Sequence, residues 1–130
     1  MYRNEPLDKY LLDAAAGTPA PGGGSIAAFA AALATTMVSM SAKFTVGKEE
    51  FKQFDSQLKK ILEECEKSRE TLLSLMEEDI KVYGDVNKAL ELSKSNEAER
   101  NKRSEAIQKA TIMAMIVPLK ATMCCLYVLQ

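Results

Sequence analysis

A stretch without any charged residue runs from Ile26 to Ala42 and predicts a long helix. Small side chains occupy every face of this segment, which is typical of a helix that neighbouring helices surround at short distance. The segment follows a loop with two prolines and three consecutive glycines, and Ser25 is placed to cap the helix. We therefore expect this alanine-rich helix to be the central helix of the fold.

Three further segments carry apolar residues at helical spacing. A short first helix is expected between Pro6 and Gly17, with an apolar face of Leu7, Leu11, Leu12 and Ala15. A long amphipathic helix is expected from about Glu49 to Leu92, and a fourth from about Glu97, with a kink at Pro118 because proline lacks the N–H. The candidate core positions of the long helix are Leu58, Leu62, Cys65, Leu72, Met76, Tyr83, Val86 and Leu90. The pattern predicts an all-α protein, a single domain over residues 1–130 built as a bundle of long antiparallel helices.

Composition limits the residue types in the core and the kinds of catalytic site that the chain can form. Hydrophobic residues make up 47% of the chain and aromatic residues only 6%, so the core is aliphatic, alanine and methionine. A net charge of -1 gives no reason to expect a nucleic-acid partner. The chain has no histidine and its three cysteines lack a CxxC spacing, which excludes Ser-His-Asp, Cys-His and His-containing zinc sites.

The cysteines and the N-terminus indicate the cellular compartment of the protein. The three cysteines are Cys65, Cys124 and Cys125, and a disulfide between the adjacent Cys124 and Cys125 would be strained. A reducing cytoplasm therefore fits best. The first residues contain no apolar signal segment, and Ile26 to Ala42 is short for a membrane span of ~20 apolar residues. We expect a cytoplasmic protein without a membrane partner; a small membrane or lipid-surface helix protein is the alternative.

Two charged residues fall on the apolar stripe of the long helix. Steps of three and four residues from Leu62 place Arg69 and Asp79 on the face that is expected to be buried. They lie ten residues apart, which is about 15 Å along a helix, so they cannot pair directly. Each needs a partner on another helix, a ligand or a shifted pKa. An ordinary ion pair between helices and a functional carboxylate are both compatible with this pattern.

The glycine loop is the other candidate site. Gly22, Gly23, Gly24 and Ser25 offer free amide groups at a helix N-terminus, where an anion or a polar heterocycle can bind. A tight turn packed against another helix is the alternative. The sequence has neither the strand–loop–helix pattern of a dinucleotide site nor the Ser or Thr of a P-loop after Gly47 and Lys48.

The glycine loop reads PGGGS, the alanine-rich helix follows it, and AKFTVGK closes that helix. This stretch resembles the opening of the cyclodeaminase/cyclohydrolase family of all-helical folate enzymes. Later matches occur in the same order, at Glu78–Asp79 with Tyr83 and Val86 beyond it, and at Val117-Pro118-Leu119. Together these matches cover most of the chain.

The resemblance implies a folate one-carbon enzyme. The implied reaction is hydrolysis of 5,10-methenyl-tetrahydrofolate to 10-formyl-tetrahydrofolate, a hydrolase activity, or deaminating cyclisation of 5-formimino-tetrahydrofolate, a lyase activity. Neither reaction transfers electrons, so we expect a tetrahydrofolate derivative as substrate and no metal or redox cofactor. A non-catalytic helical oligomerisation module is the alternative from another class.

The resemblance also implies the site residues. Asp79 is the expected catalytic carboxylate, and Arg69 is expected to be structural. The residues expected to bind substrate are Pro21, Gly22, Gly23, Gly24, Ser25, Lys48 and Tyr83. Lys48 is expected to reach a carboxylate of the folate glutamyl tail, although Lys48 and Lys43 can also be solvated lysines.

The last expectations concern assembly and the C-terminus. Members of the family continue through further helices, whereas this sequence stops at Leu126 to Gln130 without a Gly, Asn or Pro to end the helix. We therefore expect the chain to lack the last helices of the family. Long helices with alanine-rich faces leave more surface than one chain of this size covers, which predicts a homodimer or a higher homo-oligomer.

Overall fold

The structure is a computed structural model that describes residues 1–129, and all of its regular elements are helices. The α-helices are α1 (Leu7–Ala15), α2 (Gly23–Thr45), α3 (Asp55–Glu91) and α4 (Glu97–Val128). Two short 3-10 helices cover Tyr2–Asn4 and Glu49–Phe54. The all-α prediction is confirmed. The sequence was expected to end within a helix at Leu126 to Gln130. Gln130 lies outside the described residues.

Helix α2 packs antiparallel on α3. Ser25 at the start of α2 contacts Asp79 in the second half of α3, whereas Ser39 near the end of α2 lines a cavity with Arg69 in the first half. The buried positions of α2 recur at three and four residues and carry small side chains, which lets the two helices approach closely. They are Ser25, Ala28, Ala32, Thr35, Ser39 and Ala42.

The opposite face of α2 is apolar and exposed. Its large side chains include Ile26, Leu33 and Met37, each more than 40% exposed. We expected neighbouring helices on every side of α2. Within residues 1–129 this is wrong for the outer face, because α2 packs mainly on α3 and meets α4 only in part, which leaves that face exposed.

Helix α4 also packs antiparallel on α3, and it meets α2 as well. Arg103 Nη2 near its start donates to the carbonyl oxygen of Leu90 at 3.0 Å, and Cys124 Sγ near its end lies 3.8 Å from the carbonyl oxygen of Ser68. The helix continues through Pro118. Residues of α1, α2, α3 and α4 meet in one buried cluster of Tyr10, Ala28, Ala32, Leu72, Leu75, Met76, Val117 and Ala121.

Two details of the long helix differ from the sequence prediction. The α-helix begins at Asp55 instead of Glu49, because Gly47 turns the chain at a φ of 81° and a 3-10 helix follows. The expected seam holds at Cys65, Leu72 and Met76, which are buried.

The seam is wrong further along α3. Tyr83 and Leu90 are 43% and 47% exposed, whereas Ala89 is buried. The predicted seam repeats every 3.5 residues, whereas a straight helix turns every 3.6, so the stripe drifts by about 20° per heptad. Over the four heptads from Leu62 to Leu90 the buried face therefore moves away from the predicted positions.

The helices α2 and α4 are long and apolar enough to cross a membrane by length and composition alone. A core helix of a soluble protein passes the same test. In α2, the buried face carries Ser25, Thr35 and Ser39 and packs on α3. In α4, most of the apolar segment is exposed. Another copy of the chain can cover this surface in an assembly of the protein.

The close packing of α2 on α3 predicts a position-specific effect of side-chain size. Ala28 is 1% exposed, so Ala28→Leu should overpack the seam and lower the free energy of unfolding by about 1–3 kcal/mol. Ala30 lies on the exposed face of the same helix, so Ala30→Leu should stay within about 0.5 kcal/mol of the parent. Urea unfolding of both variants measures the difference. Equal effects would contradict the observed packing.

Candidate active site

The N-terminus of α2 is capped by a side chain from another helix. Helix α2 begins at Gly23 with Gly22 as its N-cap, and glycine has no side chain that can accept a hydrogen bond. Asp79 of α3 takes this role, because its Oδ2 accepts a hydrogen bond from the Ser25 N–H at 2.8 Å. The prediction that Ser25 caps the helix is wrong. Its hydroxyl lies inside the protein, 2.9 Å from the hydroxyl of Tyr10.

Gly24 makes this approach possible. A Cβ atom on Gly24 would lie 2.2 Å from Asp79 Oδ1 and 2.7 Å from its carboxyl carbon, far inside van der Waals contact. The Asp79 carboxylate therefore occupies the space that a side chain at position 24 would need. A Cβ atom on Gly23 would meet nothing within 4 Å, so that side of the helix end is open.

The carboxylate of Asp79 is partly buried without a cation beside it. Burial raises its pKa above the ordinary value of 3.8, and the hydrogen bond from the Ser25 N–H offsets part of this effect. Within residues 1–129 no Lys or Arg nitrogen lies within 4.0 Å of it. The compensation for its charge comes from the positive end of the α2 dipole. Asp79 thus differs from Arg69, which pairs with Glu66 on its own helix.

Two donors remain open beside the carboxylate. The Gly23 and Gly24 amide groups precede the first hydrogen bond of α2, which runs from Ile26 N–H to Gly22 O. Neither has an acceptor within the described part of the chain. The helix end therefore offers two N–H donors and a proton-accepting carboxylate in one place. A polar molecule that both donates and accepts hydrogen bonds can bind there.

Tyr10 supports this arrangement from α1, and the sequence analysis missed it. The expected apolar face of α1 is wrong, because Leu7, Leu11 and Leu12 are more than half exposed whereas Tyr10 is 3% exposed. Its ring packs edge-on against Tyr2 and Phe29. Burial is the main reason that its pKa is raised, and the charge of Asp79 adds to the effect. The sequence contains few aromatic residues, and aromatic rings dominate core packing. Each of them is therefore a strong core candidate, and this signal could have identified Tyr10.

The structure brings together most of the predicted site residues but not all of them. Pro21 is buried directly before the three glycines, and Tyr83 follows Asp79 by one helical turn with its side chain exposed. Lys48 lies beyond the other end of α2 and is exposed. The helix separates it from the glycine loop by about 33 Å. Among residues 1–129 no group of three or more His, Cys, Asp or Glu side chains could hold a metal ion.

The contact between Gly24 and Asp79 predicts that the two neighbouring glycines respond differently to alanine. Gly24→Ala should expel the carboxylate and break a hydrogen bond to a charged group, which lowers the free energy of unfolding by about 1.5–3 kcal/mol. Gly23→Ala meets no atom and should be neutral or stabilising by up to about 1 kcal/mol. The urea midpoints of the two variants decide it. Similar losses in both would argue against a specific Gly24–Asp79 contact.

The sequence and the fold both match known proteins. The sequence matches the family described as formiminotransferase-cyclodeaminase over residues 6–130. A methenyltetrahydrofolate cyclohydrolase of Methylorubrum extorquens is 34% identical over 125 residues, which are 96% of this chain and 60% of that protein. The formimidoyltransferase-cyclodeaminase of Mus musculus is 32% identical over 114 residues, which are 88% of this chain and 21% of that protein.

A solved structure shares the fold. The crystal structure of a formiminotetrahydrofolate cyclodeaminase from Thermotoga maritima aligns with a TM-score of 0.67 and 21% identity. The alignment covers 98% of this chain and 74% of that chain. The chain thus spans 60% of the cyclohydrolase and about a fifth of the mouse protein. The family match over residues 6–130 confirms the resemblance, and the chain belongs to the formiminotransferase-cyclodeaminase family.

Proposed function

We propose that this protein is an enzyme that acts on the one-carbon group of a tetrahydrofolate. The main candidate reaction is hydrolysis of 5,10-methenyl-tetrahydrofolate to 10-formyl-tetrahydrofolate. The 34% identity to a methenyltetrahydrofolate cyclohydrolase over 96% of the chain supports this reaction. The reaction transfers no electrons, so the proposal includes no redox cofactor, and it assigns the acid and base chemistry to a side chain without a metal.

The observation that carries the proposal is the Asp79 carboxylate at the open end of α2. Its pKa is raised by burial, so it is a better proton acceptor than an ordinary aspartate. It has no cation within 4.0 Å among the described residues, so its charge is available to a cationic substrate. The methenyl bridge is an amidinium-like cation. A carboxylate next to it stabilises that charge and can take a proton from water.

The proton and bond changes balance with Asp79 as the acid and base. A water oxygen bonds to the methenyl carbon, and Asp79 accepts one water proton. The carbon is then tetrahedral between two nitrogens. The bond from this carbon to N5 breaks, N5 receives the proton held by Asp79, and the remaining hydroxyl proton leaves to solvent as the formyl C=O forms. One proton is released overall.

The glycine loop is proposed to hold the polar edge of the substrate. The free amide groups of Gly23 and Gly24 can donate to a heterocycle oxygen or to the attacking water. Pro21, Gly22 and Ser25 define the shape of this loop, and Tyr83 is close enough along α3 to position Asp79 or the substrate. Lys48 is too distant for the one-carbon end, so its proposed contact is with an extended glutamyl tail.

Formimino-tetrahydrofolate cyclodeamination is the second candidate. Four curated relatives carry the name formimidoyltransferase-cyclodeaminase, and the solved structure that shares the fold is a formiminotetrahydrofolate cyclodeaminase. In this reaction the formimino group reacts as its amidinium cation: N10 attacks the formimino carbon and Asp79 accepts the N10 proton. Asp79 then returns this proton to the departing nitrogen as its bond to the carbon breaks, so that ammonia leaves and the methenyl cation forms. Assays with the two purified substrates distinguish the reactions.

A non-catalytic assembly module remains the alternative from another class. Such a module would bind no folate, so its unfolding midpoint would not change when folate is added. A saturable increase in the midpoint with 5,10-methenyl-tetrahydrofolate is the result that our proposal requires.

The first prediction for this function is the effect of Asp79→Asn on turnover. Asparagine keeps the shape and the acceptor for the Ser25 N–H but cannot carry the charge or the proton. The rate of the methenyl-tetrahydrofolate reaction should fall by about two to four orders of magnitude. Glu78→Gln, on the neighbouring residue that lies near Lys120, is the control and should keep most of the activity. Unchanged turnover in Asp79→Asn would remove Asp79 from the catalytic role.

The second prediction concerns the pH dependence of stability. Because the pKa of Asp79 is raised in the folded protein, the folded state holds this proton more tightly than the unfolded chain. As the pH rises from the ordinary value of 3.8 through the raised value, the unfolded chain ionises first and the folded protein loses stability. Asp79→Asn lacks this loss. Its stability relative to the parent should therefore increase with pH across this window, whereas a structural ion pair would give the opposite sign.

We also propose that the protein is cytoplasmic and assembles as a homodimer or a higher homo-oligomer. The support for the assembly is the apolar surface left exposed on α2 and α4. On α4 the exposed large side chains include Ile112, Met115, Leu119, Met123 and Leu126, each at least 50% exposed. A monomer rarely keeps such large contiguous apolar surfaces in water.

This assembly predicts a specific result in sedimentation. At micromolar concentration and without detergent, the protein should sediment as a dimer or larger species. Met37→Glu, on the exposed face of α2, should shift the distribution toward the monomer because a buried charge at an interface is costly. A compact soluble monomer would contradict the proposal. Recovery of the protein only in detergent would favour the membrane alternative.

A further inference from the structure

A cavity between α2 and α3 carries side chains that the proposed reaction does not use. Its volume is about 380 Å³. It combines two cationic, two hydroxyl and two apolar side chains. These are Thr36, Ser39, Met40, Lys43, Phe44 and Arg69.

The charges in this cavity are not neutralised within the described chain. Arg69 is partly buried, with 29% of its side chain exposed, and pairs through Nη2 with Glu66. A guanidinium has five N–H donors, and the others find no acceptor among residues 1–129. Lys43 has no carboxylate within 4.0 Å in the same part of the chain. The two positive charges of Lys43 and Arg69 and the negative charge of Glu66 sum to one net positive charge.

We propose that Lys43 and Arg69 form a subsite for a carboxylate that is attached to an aromatic or apolar group. The planar guanidinium matches the two oxygens of a carboxylate, and the ammonium adds a second charged donor. Met40 and Phe44 provide apolar contact beside the charges. If the proposed folate function holds, on which this assignment rests, the ligand is the glutamyl group at the end of the folate arylamide.

The position of the subsite relative to Asp79 fits an elongated ligand. Arg69 precedes Asp79 by ten residues on α3, which corresponds to about 15 Å along the helix. The residues between them on the same flank, Leu73 and Met76, line a separate cavity of about 280 Å³ with Tyr10 and Phe29. Tyr10 in turn contacts Ser25, the residue that binds Asp79.

The flank of α2 shows the same continuity. Phe29, Thr36, Met40 and Lys43 are separated by seven, four and three residues, so they follow one stripe of the helix. The two cavities therefore lie along one side of the α2–α3 pair. A folate with its one-carbon bridge at Asp79 would extend its acidic end toward Arg69.

This assignment changes the expected roles of three cations. Arg69, which the sequence analysis expected to be structural, contacts the first glutamyl carboxylate together with Lys43. Lys48 lies beyond the end of α2 and is exposed, so it can contact only additional glutamates of a longer tail. Lys48→Ala should therefore leave the affinity for a monoglutamate almost unchanged.

The experiment uses the full chain and a fragment of the ligand, so it does not depend on turnover. Nuclear magnetic resonance titrations compare p-aminobenzoyl-glutamate with p-aminobenzamide, which lacks the glutamate, and with inorganic phosphate. The parent should bind p-aminobenzoyl-glutamate and prefer it to both other probes. Arg69→Gln should weaken that binding about 10- to 100-fold, the loss expected for a charged hydrogen bond.

Further variants separate the subsite from general effects of charge and folding. Lys43→Gln should weaken binding of the same probe, and Arg69→Lys should recover only part of the affinity because it lacks the planar fork. Lys59→Gln is the control, since Lys59 is exposed on α3 and does not line the cavity. It should stay within about twofold of the parent. If Arg69→Gln fails to fold, Lys43→Gln decides whether the subsite exists, because Lys43 is exposed and its substitution should not disturb folding.

The outcomes distinguish this subsite from the proposed function. Equal binding of the glutamate and benzamide probes, stronger binding of phosphate, or unchanged binding in both Arg69→Gln and Lys43→Gln would overturn the subsite. Turnover of methenyl-tetrahydrofolate with a KM equal to that of the methenyl-tetrahydropteroate lacking glutamate would also overturn it. Binding that depends on Arg69, without turnover of either folate, would instead overturn the proposed function and leave a carboxylate site.

Discussion

The contact between the Asp79 carboxylate and the N-terminus of α2 is the interaction on which the site depends. It replaces the side-chain cap that Gly22 cannot provide, and it occupies the space that any side chain at position 24 would fill. The hydrogen bond from the Ser25 N–H fixes α2 to α3 at this end, and the Ser25 hydroxyl fixes α1 through Tyr10. Three helices therefore meet at one carboxylate and its neighbours.

This arrangement holds a charged group in a partly buried place without an ion-pair partner. The helix dipole and one N–H donor favour the anion, whereas burial favours the protonated acid, and the balance raises the pKa of Asp79. A neighbouring cation would have compensated the charge more fully, and the carboxylate would then have been less available to a substrate or a proton. The same balance leaves the carboxylate able to exchange a proton and to face a cationic substrate. Stability and the proposed function therefore depend on the same contact.

Much of this was predictable from the sequence, and the failures have physical causes. The uncharged helix, the PGGGS loop and the carboxylate in the apolar stripe of α3 all have local signals. Which residue caps α2 does not, because Asp79 lies 54 residues from Ser25 and the contact exists only after the helices pack. Tyr10 was missed because the leucines of α1 suggested another face. The separation of Lys48 from the glycine loop follows from the length of an uninterrupted α2, which the sequence showed but the resemblance obscured.

The exposed apolar faces of α2 and α4 show the other limit of sequence reasoning. A stripe of small and apolar residues predicts that a helix is covered, but it does not identify what covers it. The inner face of α2 meets α3, whereas the outer face has no partner within residues 1–129. Arg69 is a similar case, since its ion pair with Glu66 satisfies one donor and leaves the cavity beside Lys43 positively charged.

The most direct test of a proton-exchanging Asp79 is a measurement of its ionisation. A carbon-13 titration of the Asp79 carboxyl group, read together with the amide shift of Ser25, reports the pKa at this one contact. We expect both signals to titrate together, at a pKa above the ordinary value of 3.8. A pKa at or below that value, or a Ser25 amide that ignores the titration, would mean that the carboxylate is an ordinary or paired surface group. That result would contradict the role of Asp79 as the acid and base of the site.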